Sequence, residues 1–496
     1  MERSHRMPHV AVDDKLREEC GVLGIFARGL DVVRLGYFGL FALQHRGQES
    51  AGLAVSAGEG IALHKGLGLV SEAFNESHIA ALAATNPHIA LGHVRYSTAG
   101  PSDLDNSQPL YDSGDYDQGD GSPSRTIPLA LAHNGNLVGM ERLKAELAAQ
   151  GAVFGTTSDS ELILVLLRQY LTADLKEALI MALNKVRGAY SLVLCTNNEL
   201  IGVRDPQGFR PLCLGRIGDG YILASESAAI EALGGELWRD VEPGEMVVID
   251  DTGVHFSRFA EAKPSSCIFE YVYFARNDSI IDGQNVYEAR VALGRRLAEE
   301  QPVIADLVIS VPDSGTPAAI GYAACSQLPY VEGLVKNRYV GRTFIQPGQA
   351  LRELKVRLKF TPNPSVVRGK RIIIIDDSIV RGTTMKLLVS TLRQAGASEI
   401  HVRVSCPPYI APCHFGIDTP STVELVATRY DTEGIRRMIG ADSLGYLSKE
   451  GMLKVLAGGQ RQFCLGCFTG EYPLPLPHEE RAEARRAEED WGDVRG

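Results

Sequence analysis

Two adjacent carboxylates repel each other and need cationic or hydrogen-bonding partners. In this 496-residue chain such a pair, Asp376-Asp377, directly follows four isoleucines, Ile372 to Ile375. Next come Ser378, Ile379, Val380, Arg381, Gly382, Thr383 and Thr384, and then Met385, Leu388, Val389 and Leu392 at i, i+3, i+4 and i+7. That spacing predicts a buried strand, a turn and a helix stopped near Gly396. The turn's free N–H groups and hydroxyls can hold a phosphate, while ribose hydroxyls and a hard cation would satisfy the acids. No G-x-x-x-x-G-K-[ST] run is present, so an NTP-hydrolysing P-loop is unsupported.

A second strand-loop-helix, VISVPDSGTPAA, gives Val311 to Thr316 the same geometry, with amides for a pyrophosphate and Ser314 near a metal. The stretch 336–359 carries seven Lys or Arg, Lys336 among them, against Glu353 alone. In a chain of net charge −11, so local an excess suits a loop that closes on a polyanion.

Cys20 opens the first recognisable strand, CGVLGIFA, and the residues before it are mostly polar or charged. If residues 1–19 are removed as a propeptide, Cys20 gains an α-amino group of pKa about 7.7–8.0, and the thiol then carries its own base. Downstream stand Gln44-His45-Arg46-Gly47-Gln48-Glu49-Ser50, His93-Val94-Arg95-Tyr96-Ser97-Thr98, His133-Asn134-Gly135-Asn136 and Ser158-Asp159-Ser160-Glu161. An amide donor beside a glycine N–H can stabilise a tetrahedral oxyanion, and an Arg with an Asp matches the two charges of a free amino acid. With the terminal amine as base, no Cys-His pair is required, and His45, His93 and His133 read as structural.

In this order the four motifs resemble the class II glutamine amidotransferases of the N-terminal-nucleophile hydrolase fold. The resemblance implies Cys20 as nucleophile, Asn134 and the Gly135 N–H as oxyanion hole, Arg95 on the substrate carboxylate and Asp159 on its α-amino group. The segment 372–384 resembles the phosphoribosyl diphosphate (PRPP) motif of type I phosphoribosyltransferases. Its acids bind the ribose hydroxyls and its loop, Ser378 to Thr384, the 5-phosphate; Lys336 joins the PRPP set, and magnesium is expected at Ser314, Asp376 and Asp377.

Both motif sets in one chain resemble the glutamine PRPP amidotransferase family, over roughly residues 20–470 and in its cysteine-rich, propeptide-bearing bacterial branch. The family implies the first step of purine synthesis, from PRPP, glutamine and water to 5-phosphoribosylamine, glutamate and pyrophosphate. Two alternatives share parts of the pattern: a non-catalytic PRPP-sensing regulator, and a class II amidotransferase with another acceptor. The contexts CIFEYVYFARND, PCHFGID and CLGCFTG carry a [4Fe–4S] cluster in that branch, which gives Cys267, Cys413, Cys464 and Cys467 as ligands. Four thiolates suit zinc as well, and spacing does not separate the two. Cys406 is a decoy ligand, and Cys195, Cys213 and Cys325, in apolar runs, read as core. Purine nucleotides are expected as feedback inhibitors and a homotetramer as the assembly.

These residues need elements to hold them. From Cys20 to about 260 the text is strand-rich, with IPLALAHNGNLVG, AYSLVLC, ELIGVRD and YILASES as short runs and SELILVLLRQYL as a helix. Asn197-Asn198 predicts a hairpin turn, because Asn tolerates positive φ. These runs suggest sheets covered by helices, and the amidotransferase resemblance implies an αββα sandwich for residues 20–260. From about 285 helices and β-branched strands alternate, which predicts a doubly wound parallel sheet within 261–470. Residues 471–496 form a charged tail.

With 45% hydrophobic and 22% charged residues the chain has a globular profile. The acidic balance gives no footprint for nucleic acid or an anionic membrane, and no run of about 18 apolar residues is present. The scattered charges of the N-terminus argue against a secretory signal, which leads to a cytoplasmic expectation. The Asp-, Gly- and Ser-rich stretch 101–127 fails the EF-hand register and reads as a solvated loop.

Overall fold

A computed structural model of the chain describes residues 20–96, 103–113, 127–171, 174–337, 358–419, 421–456 and 462–477. The propeptide reading, most of the basic stretch, most of 101–127 and the end of the tail lie outside them.

Side-chain parity along Gly21–Phe26 sets the layering of the first half, since alternate residues of a strand face opposite sides. Leu23 and Ile25 join a core shared with helix Val32–Ala42, whereas Val22 and Phe26 join a separate core with Ala130, Ala132, Val193 and Val247. That second core lies between two antiparallel sheets. The first sheet is ordered Glu236–Asp240, Cys213–Ile217, Gly220–Ala224, Gly21–Phe26, Ile89–Arg95, Ser50–Ser56, Ile61–Leu67. The second runs Gly253–Arg258, Glu245–Asp250, Leu200–Arg204, Gly188–Cys195, Leu129–Leu137, Leu110–Asp112. Helices Ser160–Tyr170 and Leu175–Leu183 cover its outer face through Leu162, Leu166 and Leu179. The result is the predicted αββα sandwich.

The hairpin between Gly188–Cys195 and Leu200–Arg204 forms as expected but for a different reason. Neither Asn197 nor Asn198 has positive φ. Thr196 closes the turn instead: its hydroxyl accepts from the N–H of Asn198 at 3.2 Å and of Glu199 at 3.0 Å.

In the second half four parallel strands stand in the order Leu307–Ser310, Arg371–Asp376, Glu399–Val404, Ser443–Tyr446. Ile372 to Ile375 are fully buried, which requires cover on both faces. Helices Val286–Glu300, Thr316–Ser326 and Thr383–Gln394 pack into this core through Leu293, Tyr322 and Leu388. Ser443–Tyr446, with Gly445 inside it, carries no strand signature that sequence reading would detect. Cys195 and Cys213 are core as expected, but Cys325 is exposed. Its helix buries Ala318, Ala319, Tyr322 and Ala323, and burial ends there: Cys325 lies in the last turn, where Ala324 is exposed too.

Candidate active site

The same parity brings chemistry from both sheets into one gap. Ala130 and Ala132 face the inter-sheet core, so Asn134, two residues on, faces it too; Ile89 and Leu91 do the same for His93 and Arg95 on the opposing sheet. A small cavity, about 260 Å³ with its open mouth, is lined by Cys20, Arg95, Tyr96, Gln108, His133, Gly135, Ser158 and Asp159. All five residues expected of the glutamine site line this cavity or, in the case of Asn134, border it within the strand.

The Cys20 thiol donates to the Tyr96 carbonyl at 3.3 Å, and burial pushes its pKa up to about 12, so it is protonated at neutral pH. Asn134 is fully buried, and both of its amide atoms lack a hydrogen-bond partner among the described residues. A buried amide left unpaired costs about 1–3 kcal/mol, the mark of a group kept for a ligand. Gly135 has φ +148°, and a Cβ there would lie 2.0 Å from the Ala189 carbonyl oxygen, so only glycine fits. Asp159 accepts from the Leu137 N–H at 2.9 Å, which fixes one carboxylate oxygen at the pocket wall.

Sequence reading did not single out Gln108. Its Oε1 accepts from the His133 N–H at 2.7 Å and its Nε2 donates to Ser160 Oγ at 3.1 Å, locking the start of the His-Asn-Gly segment. His133 Nδ1 lies 2.9 Å from Ser160 Oγ. His93 Nε2 lies 3.1 Å from the His133 carbonyl, and burial pushes its pKa down to about 3, so the ring is neutral and donates there. His45 sits apart, 2.6 Å from Glu226.

The second site forms where Arg371–Asp376 ends. Asp376 and Asp377 are both buried. Asp376 Oδ1 accepts from the Asp377 N–H at 2.9 Å, and Asp377 accepts from the hydroxyls of Ser378, at 2.7 Å, and Ser314. The two strand-loop-helix segments thus meet as their shared geometry suggested. Gly382 adopts φ +80° just before helix Thr383–Gln394. Ile379 and Val380 are buried beneath the loop, and Arg381 pairs with Glu424 at 3.1 Å. Lys336 reaches Asp313 at 2.5 Å, on the rim of the Pro312–Gly315 turn.

A buried polar seam joins the halves. Arg46 lies 2.5 Å from Glu226 and 2.5 Å from Glu270, and Arg210 is 3.7 Å from Glu270. Behind them Arg290 donates to the carbonyls of Tyr271 at 2.7 Å and Ala275 at 2.9 Å. Burial pushes the Arg290 pKa down to about 10, against the field of Asp377.

The four expected cluster cysteines lie on segments that meet at this junction. Ser266–Cys267 pairs in parallel with Phe463–Cys464, which sets Cys267 beside Cys464. Cys467 O accepts from the N–H groups of Ile410, at 2.9 Å, and Ala411, at 3.2 Å, so the loop of Cys413 lies against the Cys-x-x-Cys turn. Cys413 Sγ accepts from the Phe415 N–H at 3.3 Å. Burial, then the neighbouring Cys464, Cys267, Cys413 and Cys406, raise the Cys467 pKa well above the ordinary thiol range. Among the described residues no group of three or more His, Cys, Asp or Glu is placed to hold a metal ion.

The glutamine amidotransferase domain family matches residues 112–232, and the phosphoribosyl transferase domain family matches residues 288–420. Over 474 residues the chain is 48% identical to the amidophosphoribosyltransferase of Mycobacterium tuberculosis, covering 93% of this chain and 88% of the relative. It is 50% identical over 467 residues to the amidophosphoribosyltransferase of Archaeoglobus fulgidus, covering 93% and 99%. A solved structure of glutamine PRPP amidotransferase from B. subtilis, complexed with ADP and GMP, matches with a TM-score of 0.85 at 45% identity, over 93% of this chain and 98% of that one.

Proposed function

Because the chain belongs to the amidophosphoribosyltransferase family, we propose that its two pockets divide that family's reaction between Cys20 and the Asp376-Asp377 loop. The activity is the first step of purine biosynthesis, with glutamine and PRPP as substrates. The domain division is residues 1–19 as propeptide, 20–260 as glutamine domain, 261–470 as phosphoribosyltransferase domain and 471–496 as tail.

In the glutamine pocket Arg95 takes the substrate carboxylate and Asp159 its α-ammonium, an arrangement supported by their opposite charges on one cavity wall. Cys20 sulfur attacks the side-chain amide carbon, and the thiol proton passes to the freed α-amine. The oxyanion forms against the Asn134 amide and the Gly135 N–H. Its collapse breaks the C–N bond, the proton goes to the leaving nitrogen, and NH₃ departs from a γ-glutamyl thioester that water cleaves to glutamate. The observation that carries this reading is the buried Asn134 amide, unpaired among the described residues and bordering the Cys20 cavity.

At the second site Asp376 and Asp377 hold the ribose hydroxyls and Ser378 to Thr384 cradle the 5-phosphate, with Lys336 toward the pyrophosphate. NH₃ attacks C1 and the C1–O bond to pyrophosphate breaks. The family uses Mg²⁺ with PRPP, and the hard oxygens of Ser314, Asp376 and Asp377 suit it. Mg²⁺ binds through one or two carboxylates plus substrate phosphates and keeps several waters, so a closed protein cage is not required. When bound, it neutralises charge on the departing pyrophosphate.

Cys267, Cys413, Cys464 and Cys467 suit a [4Fe–4S] cluster as a structural clamp. Four thiolates on one zinc converge at about 2.3 Å from a point, whereas a cubane takes one at each corner. The resemblance of the three cysteine contexts to the family's cluster-bearing branch favours the cluster. Cytoplasmic residence accords with the lack, among the described residues, of a helix long and apolar enough to cross a membrane. Inhibition by purine nucleotides and a homotetramer complete the reading.

The test is glutamine-dependent release of pyrophosphate from PRPP. Cys20→Ala abolishes it and spares the reaction with added ammonia; loss of both, or of neither, overturns the division of labour.

A further inference from the structure

A loop from the phosphoribosyltransferase half lies directly on the strand that carries Asn134 and Gly135. Gly416 has φ +110°, and a Cβ built there would sit 3.1 Å from the Gly135 carbonyl carbon and 3.2 Å from its Cα. From the other side, the Ala189 carbonyl already excludes any side chain on Gly135. A side chain at Gly416 would press on the strand backbone, and one at Gly135 on the neighbouring strand.

Polar contacts fix the loop in that place. The Phe415 carbonyl accepts from buried Arg210, from Nε at 3.0 Å and from Nη2 at 2.5 Å. The His414 carbonyl accepts from Asn136 Nδ2 at 3.0 Å. Phe415 also stacks on Phe209, with ring centroids 4.3 Å apart and planes 15° apart. Arg210 links back to the site, because its carbonyl accepts from Ser191 Oγ at 3.1 Å and Ser191 is the cross-strand partner of Asn134.

We infer that His414 to Gly416, held by Arg210, are positioning residues for glutamine hydrolysis: they set the height of the Asn134–Gly135 oxyanion donors from across the domain boundary. The inference rests on reading Asn134 and Gly135 as the oxyanion hole. Oxyanion donors act only within a narrow distance range, so a strand displaced by a few tenths of an ångström weakens the transition state more than substrate binding. Arg95, which holds the substrate carboxylate, stands on the opposing sheet.

The experiment uses the processed full-length enzyme and compares Gly416→Ala with Asn134→Ala and the milder Phe415→Leu. Glutamine kcat and KM, ammonia-dependent activity and thermal stability are measured for each. Asn134→Ala lowers glutamine kcat by about 10²–10³-fold. Gly416→Ala lowers it by roughly tenfold or more, leaving glutamine KM and the ammonia reaction within about twofold. An unchanged kcat in folded Gly416→Ala beside an impaired Asn134→Ala overturns the positioning role while the oxyanion reading stands. An unimpaired Asn134→Ala overturns the oxyanion reading itself. If Gly416→Ala loses both reactions through misfolding, Phe415→Leu decides: a fall in glutamine kcat alone supports the inference, and parallel loss of both activities, or no change in kcat, overturns it.

Discussion

Arg46 and Glu270 form an ion pair across the boundary between the halves, 2.5 Å long, with both side chains almost wholly out of solvent. Arg46 follows the first helix of the sandwich, and Glu270 opens the π-helical turn Glu270–Phe274 that leads into the phosphoribosyltransferase half. Charges buried at such a seam tolerate little separation, because each would face desolvation alone. The pair therefore locks the register of one half on the other beside the Cys20 strand, where Arg46 Cβ lies 3.4 Å from the Cβ position of Gly21.

Arg46→Met takes the guanidinium from buried Glu226 and Glu270, leaving them His45 and the more distant Arg210, and its expected cost is about 3–5 kcal/mol in denaturant unfolding of the full chain. The double variant Arg46→Met/Glu270→Gln recovers part of that loss. A single variant within about 1 kcal/mol of the parent would show that the seam is not a structural lock.

The same seam sets an acid limit. Burial raises the Glu226 pKa, but His45 and Arg46 outweigh it and hold the carboxyl well below its usual range. A lowered folded-state value means that Glu226 stabilises fully above the unfolded pKa of about 4.3 and that this contribution fades as pH falls toward the folded value. Unfolding free energy measured from pH 7 downward is expected to drop below about pH 4.3, with a shallower slope in Glu226→Gln. Identical slopes would remove Glu226 from the acid response.

Cys20 carries an opposite signature. Its thiol, pushed up to about 12 by burial, stays protonated while its nitrogen is an ordinary peptide amide. Iodoacetamide is expected to modify Cys20 slowly at neutral pH in a chain whose residues 1–19 are retained. In the processed chain an α-amine of pKa about 7.7–8.0 takes the proton, and the rate rises through that range. Equal rates for the two forms, followed by mass spectrometry of the Cys20 peptide, would rule out activation by release of the amine.

Much of this was legible because the signals are local. Ile372–Gln394 encodes strand, acid pair, loop and helix in one stretch, and strand parity then turns Asn134 toward the gap between the two sheets. The seam was not legible: Arg46 and Glu270 are 224 positions apart, and nothing in either neighbourhood names the other. Gln108 shows the same limit, since an isolated glutamine has no periodic or motif signature until folding sets it against His133. Cys325 was misread from its apolar run, because burial stops at the last turn of its helix and composition does not mark that end. Gly416 could be read only as a turn glycine, because the contact that requires it comes from Gly135 in the other half.

The phosphate loop offers a direct test at Gly382. Its φ of +80° is open to glycine and strained for alanine, and an added Cβ would sit 2.4 Å from the Met438 methyl carbon, a flexible end able to move. Strain of about 1–3 kcal/mol then falls on the loop rather than on the core. Gly382→Ala is expected to raise the PRPP KM about tenfold in the ammonia-dependent reaction, with glutamine KM unchanged. A PRPP KM equal to the parent's would separate the loop from phosphate binding.

The thiols at the junction separate ligand from bystander. Cys267→Ser is expected to remove iron, sulfide and the broad absorbance near about 400 nm from anaerobically purified protein. Cys406, fully buried with its thiol 3.2 Å from the Pro407 carbonyl, is the neighbouring thiol left out of the proposed quartet. Cys406→Ser therefore retains iron at the parental ratio. Because Phe463–Cys464 is tied to Ser266–Cys267 by only two paired positions, loss of the bound group should also loosen the C-terminal segment, read as faster proteolysis after residue 456. Stoichiometric zinc in place of iron, or iron lost equally from Cys406→Ser and Cys267→Ser, would contradict the assignment of the four ligands.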